Sequence, residues 1–222
     1  MGRDANIPVE IRGNARRANS AKQQSVLSAA AGVFCREGFS GACIDNIAEE
    51  ANVSRQTIYN HYREKETLFV AVVEDILARA DTALSSIVAS FPERPDDMAV
   101  DLTAFATRLA RNCLYSHDGM FLRKLLQSEG DRYPNLFDAW RKQAPGAPAA
   151  AISSLFSRLK AQGQLDIDDV ALAARQFLAL VNVDLQTTAL FGGRSTEEEI
   201  EAAAGNAVRT FLRAYPPIAM RP

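Results

Sequence analysis

Arg55, Gln56, Thr57, Tyr59, Asn60 and His61 lie within a seven-residue stretch, and each carries a group able to hydrogen-bond to nucleic acid. Arginine and glutamine can make two-pronged contacts to guanine and adenine edges, threonine can meet a thymine methyl, and tyrosine or histidine can donate to phosphate. A polar outer face is also what any solvated helix presents. Recognition chemistry therefore depends on what holds these side chains, and the flanking residues spell a tight frame.

Ile44, Ile47, Ala48 and Ala51 recur at the three-and-four spacing of an amphipathic helix, with Asp45, Asn46, Glu49 and Glu50 facing outward. Asn52 falls where the chain must turn sharply, and asparagine tolerates the left-handed backbone that such a turn requires. Val53 then plugs the turn into the core. Ser54 can cap a second helix by accepting from the free amide of Gln56 or Thr57. In that helix Ile58 and Tyr62 face inward, which predicts a helix-turn-helix with the polar stretch outermost. A helical adaptor that uses this head to bind protein is the rival reading.

Upstream, SAKQQSVLSAAAGVFCREGF forms an amphipathic helix stopped by Gly38; downstream, REKETLFVAVVEDILARA opens a long helix. The order FCREGF, IDNIAEEANVS, TIYNHY, REKETLF closely resembles the amino-terminal domain of the TetR/AcrR family of bacterial transcriptional regulators, over about residues 20–70. The stretch RKLLQSEGDRYPNLFDAW, with GQLDIDD and QFLALVNVDLQTTALFG, resembles the AefR-like carboxy-terminal domain of the same family. The resemblance implies an all-α protein with a three-helix head and a larger helical bundle that binds ligand and dimerises. It implies a recognition helix from Ser54 to His61, with Arg55, Gln56 and Thr57 nearest the bases and Tyr59, His61 and Lys65 on phosphates. The chain departs from the family at Cys43, where Ser or Thr is usual, and at Asn52, where Gly is usual. The first removes a helix cap and weakens an expected phosphate contact; the second is conformationally tolerable.

Residues 1–19 are expected as a basic, flexible arm, 20–64 as the head, 65–216 as connecting helix and ligand-binding bundle, and 217–222 as a tail. Arg16 and Arg17 in the arm are candidates for backbone or minor-groove contact; a solvated chain end is the simpler alternative. Residues 1–65 hold nine Lys or Arg against seven Asp or Glu, while the whole chain of 222 residues has a net charge of −2. That excludes a generally basic coat but leaves positive charge at the end expected to meet DNA.

Beyond the break at Phe91-Pro92-Glu93-Arg94-Pro95, further helices are expected at 98–114, 120–129, 136–143, 149–162, 170–191 and 197–215, and no strand pattern interrupts them. Phe105, Leu109, Cys113, Phe121, Leu125, Trp140, Phe156 and Phe177 could enclose an apolar cavity for a small hydrophobic effector, or simply pack. Leu172, Leu180, Leu185, Leu190, Val208, Phe211 and Leu212 exceed what one buried face needs. The family pairs helices at these positions with their copies in a homodimer, which would read a palindromic double-stranded operator.

The sequence at hand contains no apolar run long enough for a membrane span and no secretion signal, so a cytoplasmic, bacterial location is expected. No metal spacing, GxSxG, HExxH or phosphate loop is present, so no catalytic residue, metal or cofactor is expected. Cys35 and Cys43 flank the turn between the first two helices and leave a thiol redox sensor open, given exposure and a lowered thiol pKa.

Overall fold

The computed structural model describes the backbone of residues 9–137 and 146–217 and, within these, the side chains of 20–135 and 148–217. The described residues are all-α. In chain order the helices are α1 Val9–Gly41, α2 Ile44–Glu50, α3 Arg55–Tyr62, α4 Lys65–Ala89, α5 Met98–Ala110, α6 His117–Glu129, α7 Ala147–Ala161, α8 Val170–Leu190 and α9 Glu197–Ala214. They form two compact units: one from residues up to 75 plus 125–137, the other from 76–124 and 138 onward.

The first unit is built on α1, α2, α3 and the first half of α4. Val26, Ala30, Val33 and Phe34 of α1 are buried with Ile47, Ile58, Leu68, Phe69 and Val72. Burying a side chain of that size contributes about 1.5–3 kcal/mol relative to leaving it exposed. Phe34, Phe39 and Phe69 interlock, Phe69 meeting the other two edge-on with centroids 5.0 and 5.2 Å away. Helix α1 starts at Val9, so the expected arm is helical from there on; Arg16 and Arg17 lie on this helix, their side chains outside the described residues. Its regular part stops where expected: Gly38 has φ 72° and ψ 173°, a backbone essentially restricted to glycine.

The second unit packs α5, α7, α8 and α9 around Leu102, Phe105, Phe156, Phe177, Val208 and Phe211. Helices α5, α8 and α9 start on side-chain caps supplied by Asp97, Asp169 and Thr196. At Thr196 the hydroxyl accepts from the Glu199 amide while the Glu199 carboxylate accepts from the Thr196 amide.

Three boundaries differ from the periodicity. The stretch expected to complete α5 is a π-helical turn, Arg111–Tyr115. Helix α6 begins at His117 rather than Met120, because Ser116 accepts from the Gly119 amide at 3.0 Å and so caps it. Gly119 is needed there, since a Cβ would stand 2.8 Å from the Cys113 carbonyl. The helix expected over 136–143 opens as a 3₁₀ turn, Pro134–Phe137, and its remainder, with Trp140, lies outside the described residues.

Candidate nucleic-acid interface

The α2–α3 turn follows its local chemistry. Asn52 adopts φ 53°, the left-handed conformation expected of it. Its amide donates to Glu49 and the Val53 amide to Ala48, which folds α2 back within two residues. Ser54 has extended backbone and its hydroxyl accepts from the Thr57 amide at 3.1 Å. Ile58 and Tyr62 are buried at 1% and 5% exposure, so their helix has one possible outward face. Arg55, Gln56 and Asn60 are exposed, as is His61, while Thr57 and Tyr59 are half-buried.

The outward side chains hold one another. Arg55 donates to the Tyr59 hydroxyl and to Asp45, both at 3.3 Å, and lies over the Tyr59 ring. The Tyr59 hydroxyl, then Asp45, push the Arg55 pKa above its ordinary value. Gln56 donates to Asn60 at 2.9 Å. These exposed contacts are each worth little in water and exchange readily for contacts to a base edge or phosphate. At the start of α2, Cys43 has the extended backbone of a cap but makes no capping bond; its thiol reaches only toward Asp45, 3.8 Å away.

Lys65 is engaged differently from its expected role on phosphate. Its ammonium donates to the carbonyls of Ser40 and Ala42, at 3.3 and 3.0 Å, and lies over the Phe39 ring. Two of its three N–H donors thus tie α4 to the α1–α2 elbow. The other side of the same elbow rests on Glu129, a buried carboxylate whose Oε1 accepts from the Phe39 amide at 3.2 Å. Tyr133 adds a 2.7 Å hydroxyl contact to Ser40 and an edge-on contact to Phe39. Sequence spacing could not find Glu129 or Tyr133, which are 90 and 93 residues from their partners. Arg63, with φ 58° at the end of α3, was likewise not anticipated.

In the second unit, Phe105, Leu109, Phe156 and Phe177 are fully buried and pack on one another, Phe156 and Phe177 edge-on at 5.4 Å. Phe121 is buried in the same unit, whereas Leu125 falls in the first. Cys113 is half-buried, and burial pushes its thiol pKa up to about 11. Of the residues expected at a dimer face, Leu185, Val208 and Phe211 are buried at 3%, 1% and 1%, and Leu180 and Leu212 pack against the same core. The first three are corrected accordingly: they fill the protomer's own bundle. Leu172 and Leu190 are exposed, and Val183 joins them at seven- and eleven-residue spacings on one face of α8, with Phe191 just beyond at 84% exposure. That spacing was readable in the sequence.

Asp118 forms a two-pronged pair with Arg79, at 2.9 and 3.0 Å, which holds its carboxyl below the usual range. His117 beside it is largely exposed. Among the described residues no group of acidic, histidine or cysteine side chains could hold a metal, and no helix is long and apolar enough to cross a membrane.

Residues 26–72 match the family described as bacterial regulatory proteins, tetR family, and residues 101–217 match the C-terminal domain of AefR-like transcriptional repressors. The HTH-type transcriptional regulator RutR of Escherichia coli (strain K12) is 41% identical over 69 residues, 31% of this chain and 32% of RutR. The chain thus spans about a third of the length of the curated relatives it matches first. Solved structures match far more of it. A TetR-family regulator from Mesorhizobium loti aligns with TM-score 0.81 and 28% identity, covering 89% of this chain and 98% of the other. The flavonoid-responsive regulator FrrA aligns with TM-score 0.66 and 27% identity, covering 88% and 97%.

Proposed function

Since the chain belongs to the TetR family of bacterial regulatory proteins and carries an AefR-like C-terminal domain, we propose that it is a sequence-specific DNA-binding transcriptional regulator, a ligand-released repressor that grips a palindromic operator as a homodimer. The observation that carries this reading is the α2–α3 geometry: Asn52 in the left-handed conformation and the Ser54 cap fix α3 with Ile58 and Tyr62 inward. Arg55, Gln56 and Thr57 then meet base edges, while Tyr59, Asn60 and His61 border the groove and meet phosphate. Lys65 supports this surface from behind through the elbow and has one donor left for phosphate.

The exposed Leu172, Val183 and Leu190 stripe, continued by Phe191, is the dimer face. Two copies related by a two-fold axis place two recognition helices on half-sites separated by whole helical turns. The effector is small and largely apolar, which the likeness to a flavonoid-responsive regulator supports. Phe105, Phe156 and Phe177 are close-packed in this conformation. An effector among them binds only a conformation in which the rings separate, and its preference for that conformation sets how far the population shifts. Helices α4 and α6, each with residues in both units, are the chain segments that carry the shift.

Gel-shift titration on operator fragments recovered from genomic DNA, at two salt concentrations, tests the reading. Tyr59→Ala should weaken binding at both salt concentrations with little change in the salt slope, because a neutral hydroxyl on phosphate releases no counterion. Lys65→Ala should weaken binding through the elbow and also lower the slope, by at most about one, through the charge of its remaining donor. Unaltered affinity in both variants at both salt concentrations sinks the assignment.

A further inference from the structure

The second unit carries two adjoining grooves of about 670 and 600 Å³, both lined by Arg108 and Arg111 and distinct from the phenylalanine core. The first lies between α5 and α9, where Val100, Ala104 and Val208 give it an apolar wall. The second adds Ile87 and Ile200 as apolar wall, and Asn112, Tyr115, Ser195 and Arg194 as polar rim. The π-helical turn at Arg111–Tyr115 presents Arg111, Asn112 and Tyr115 to the second groove together, and such turns recur at binding sites.

The charge in these grooves is unbalanced. Arg111 pairs with Glu197 and lies 4.0 Å from Glu201. Among the described residues Arg194 reaches only the Met120 sulfur, at 3.7 Å, and Arg209 only the Asn206 side chain. Arg108, which lines both grooves, has a buried Nε with no hydrogen-bond partner among the described residues. Four arginines therefore face two glutamates, and Arg108, one of the two arginines shared by both grooves, holds an unsatisfied donor. A buried donor left unpaired is costly, and an acceptor that a ligand brings to this guanidinium offsets the cost.

We propose that these grooves bind a small amphipathic carboxylate, its carboxyl group held by Arg108 with Arg194 beside it, and its apolar body laid along the Val100, Ala104 and Val208 wall. A guanidinium fork matches a carboxylate in two-pronged fashion, and each groove is within the roughly 300–1,000 Å³ of small-molecule sites. The site adds to the regulator reading and does not rest on it, because binding to the bundle is measured without DNA.

Isothermal titration of the full chain with octanoate tests it, with 1-octanol as the uncharged counterpart and inorganic phosphate as the charge without the chain. Octanoate should bind, octanol and phosphate should bind at least tenfold more weakly, and Arg108→Gln should weaken octanoate tenfold to a hundredfold, the range for losing a charged hydrogen bond. Arg194→Gln, on an exposed loop, should weaken it severalfold while leaving the circular dichroism melt unchanged, and decides the matter if Arg108→Gln does not fold. Octanoate affinity equal in native chain and variants, octanol or phosphate binding as tightly as octanoate, or no octanoate binding overturns the proposal.

Discussion

Replacing Gly38 with alanine strikes the elbow that holds the recognition unit, through two separable penalties. The backbone at φ 72° and ψ 173° is one that L side chains avoid, costing about 1–3 kcal/mol. The added Cβ would stand 2.5 Å from Glu129 Oε1, closer than any contact tolerates. The carboxylate must move, losing its 3.2 Å bond from the Phe39 amide, and a hydrogen bond to a charged group is worth about 1.5–3 kcal/mol. Gly38→Ala should therefore cost about 2.5–6 kcal/mol. In a Glu129→Ala background only the backbone penalty remains, so the same change should cost about 1–3 kcal/mol, a coupling of about 1.5–3 kcal/mol. Amide hydrogen exchange of α1–α3 in the full chain measures this locally, which matters because a chain of two compact units need not unfold in one step. Equal cost in both backgrounds would show that the carboxylate does not oppose Gly38. A cost below about 1 kcal/mol in both would show that the backbone is not held at positive φ.

Three further outcomes are expected. Exposed Cys43 should react with an aromatic disulfide reagent at pH 8 far faster than Cys113, whose thiol, with a pKa near 11, stays protonated there; equal rates would contradict its burial. Because Arg79 depresses the Asp118 pKa in the folded state, the pair's contribution is present above the ordinary carboxylate value of 3.8 and lost as pH falls through the lowered folded value. Asp118→Asn should cost about 1 kcal/mol at pH 7 in thermal melts and progressively less as the pH falls below 3.8, and a cost that stays constant with pH would refute the linkage. Val183→Asp on the exposed α8 stripe should shift the mass measured by light scattering from dimer to monomer with the helical content kept; an unmoved dimer places the interface elsewhere.

What the sequence determined by itself is local. Three-and-four spacing placed the helices, because residues that far apart meet on one helix face whatever surrounds them. Asn52 and Ser54 wrote the turn because each acts on backbone within three residues of itself, and Gly38 ended α1 for the same reason. The outward face of α3 followed once Ile58 and Tyr62 were assigned inward. Tertiary structure decided whatever depends on partners far along the chain. Lys65 became a strut instead of a free cation because two carbonyls of the elbow lie within its reach. Glu129 became the elbow's other support from ninety residues away. Apolar periodicity marks a face for burial but does not say against what, so Leu185, Val208 and Phe211 sank into the protomer while Val183 and Phe191 stayed outside. The unpaired donor of Arg108 exists only where α5 and α9 converge, since no local pattern records which arginine is left without a carboxylate.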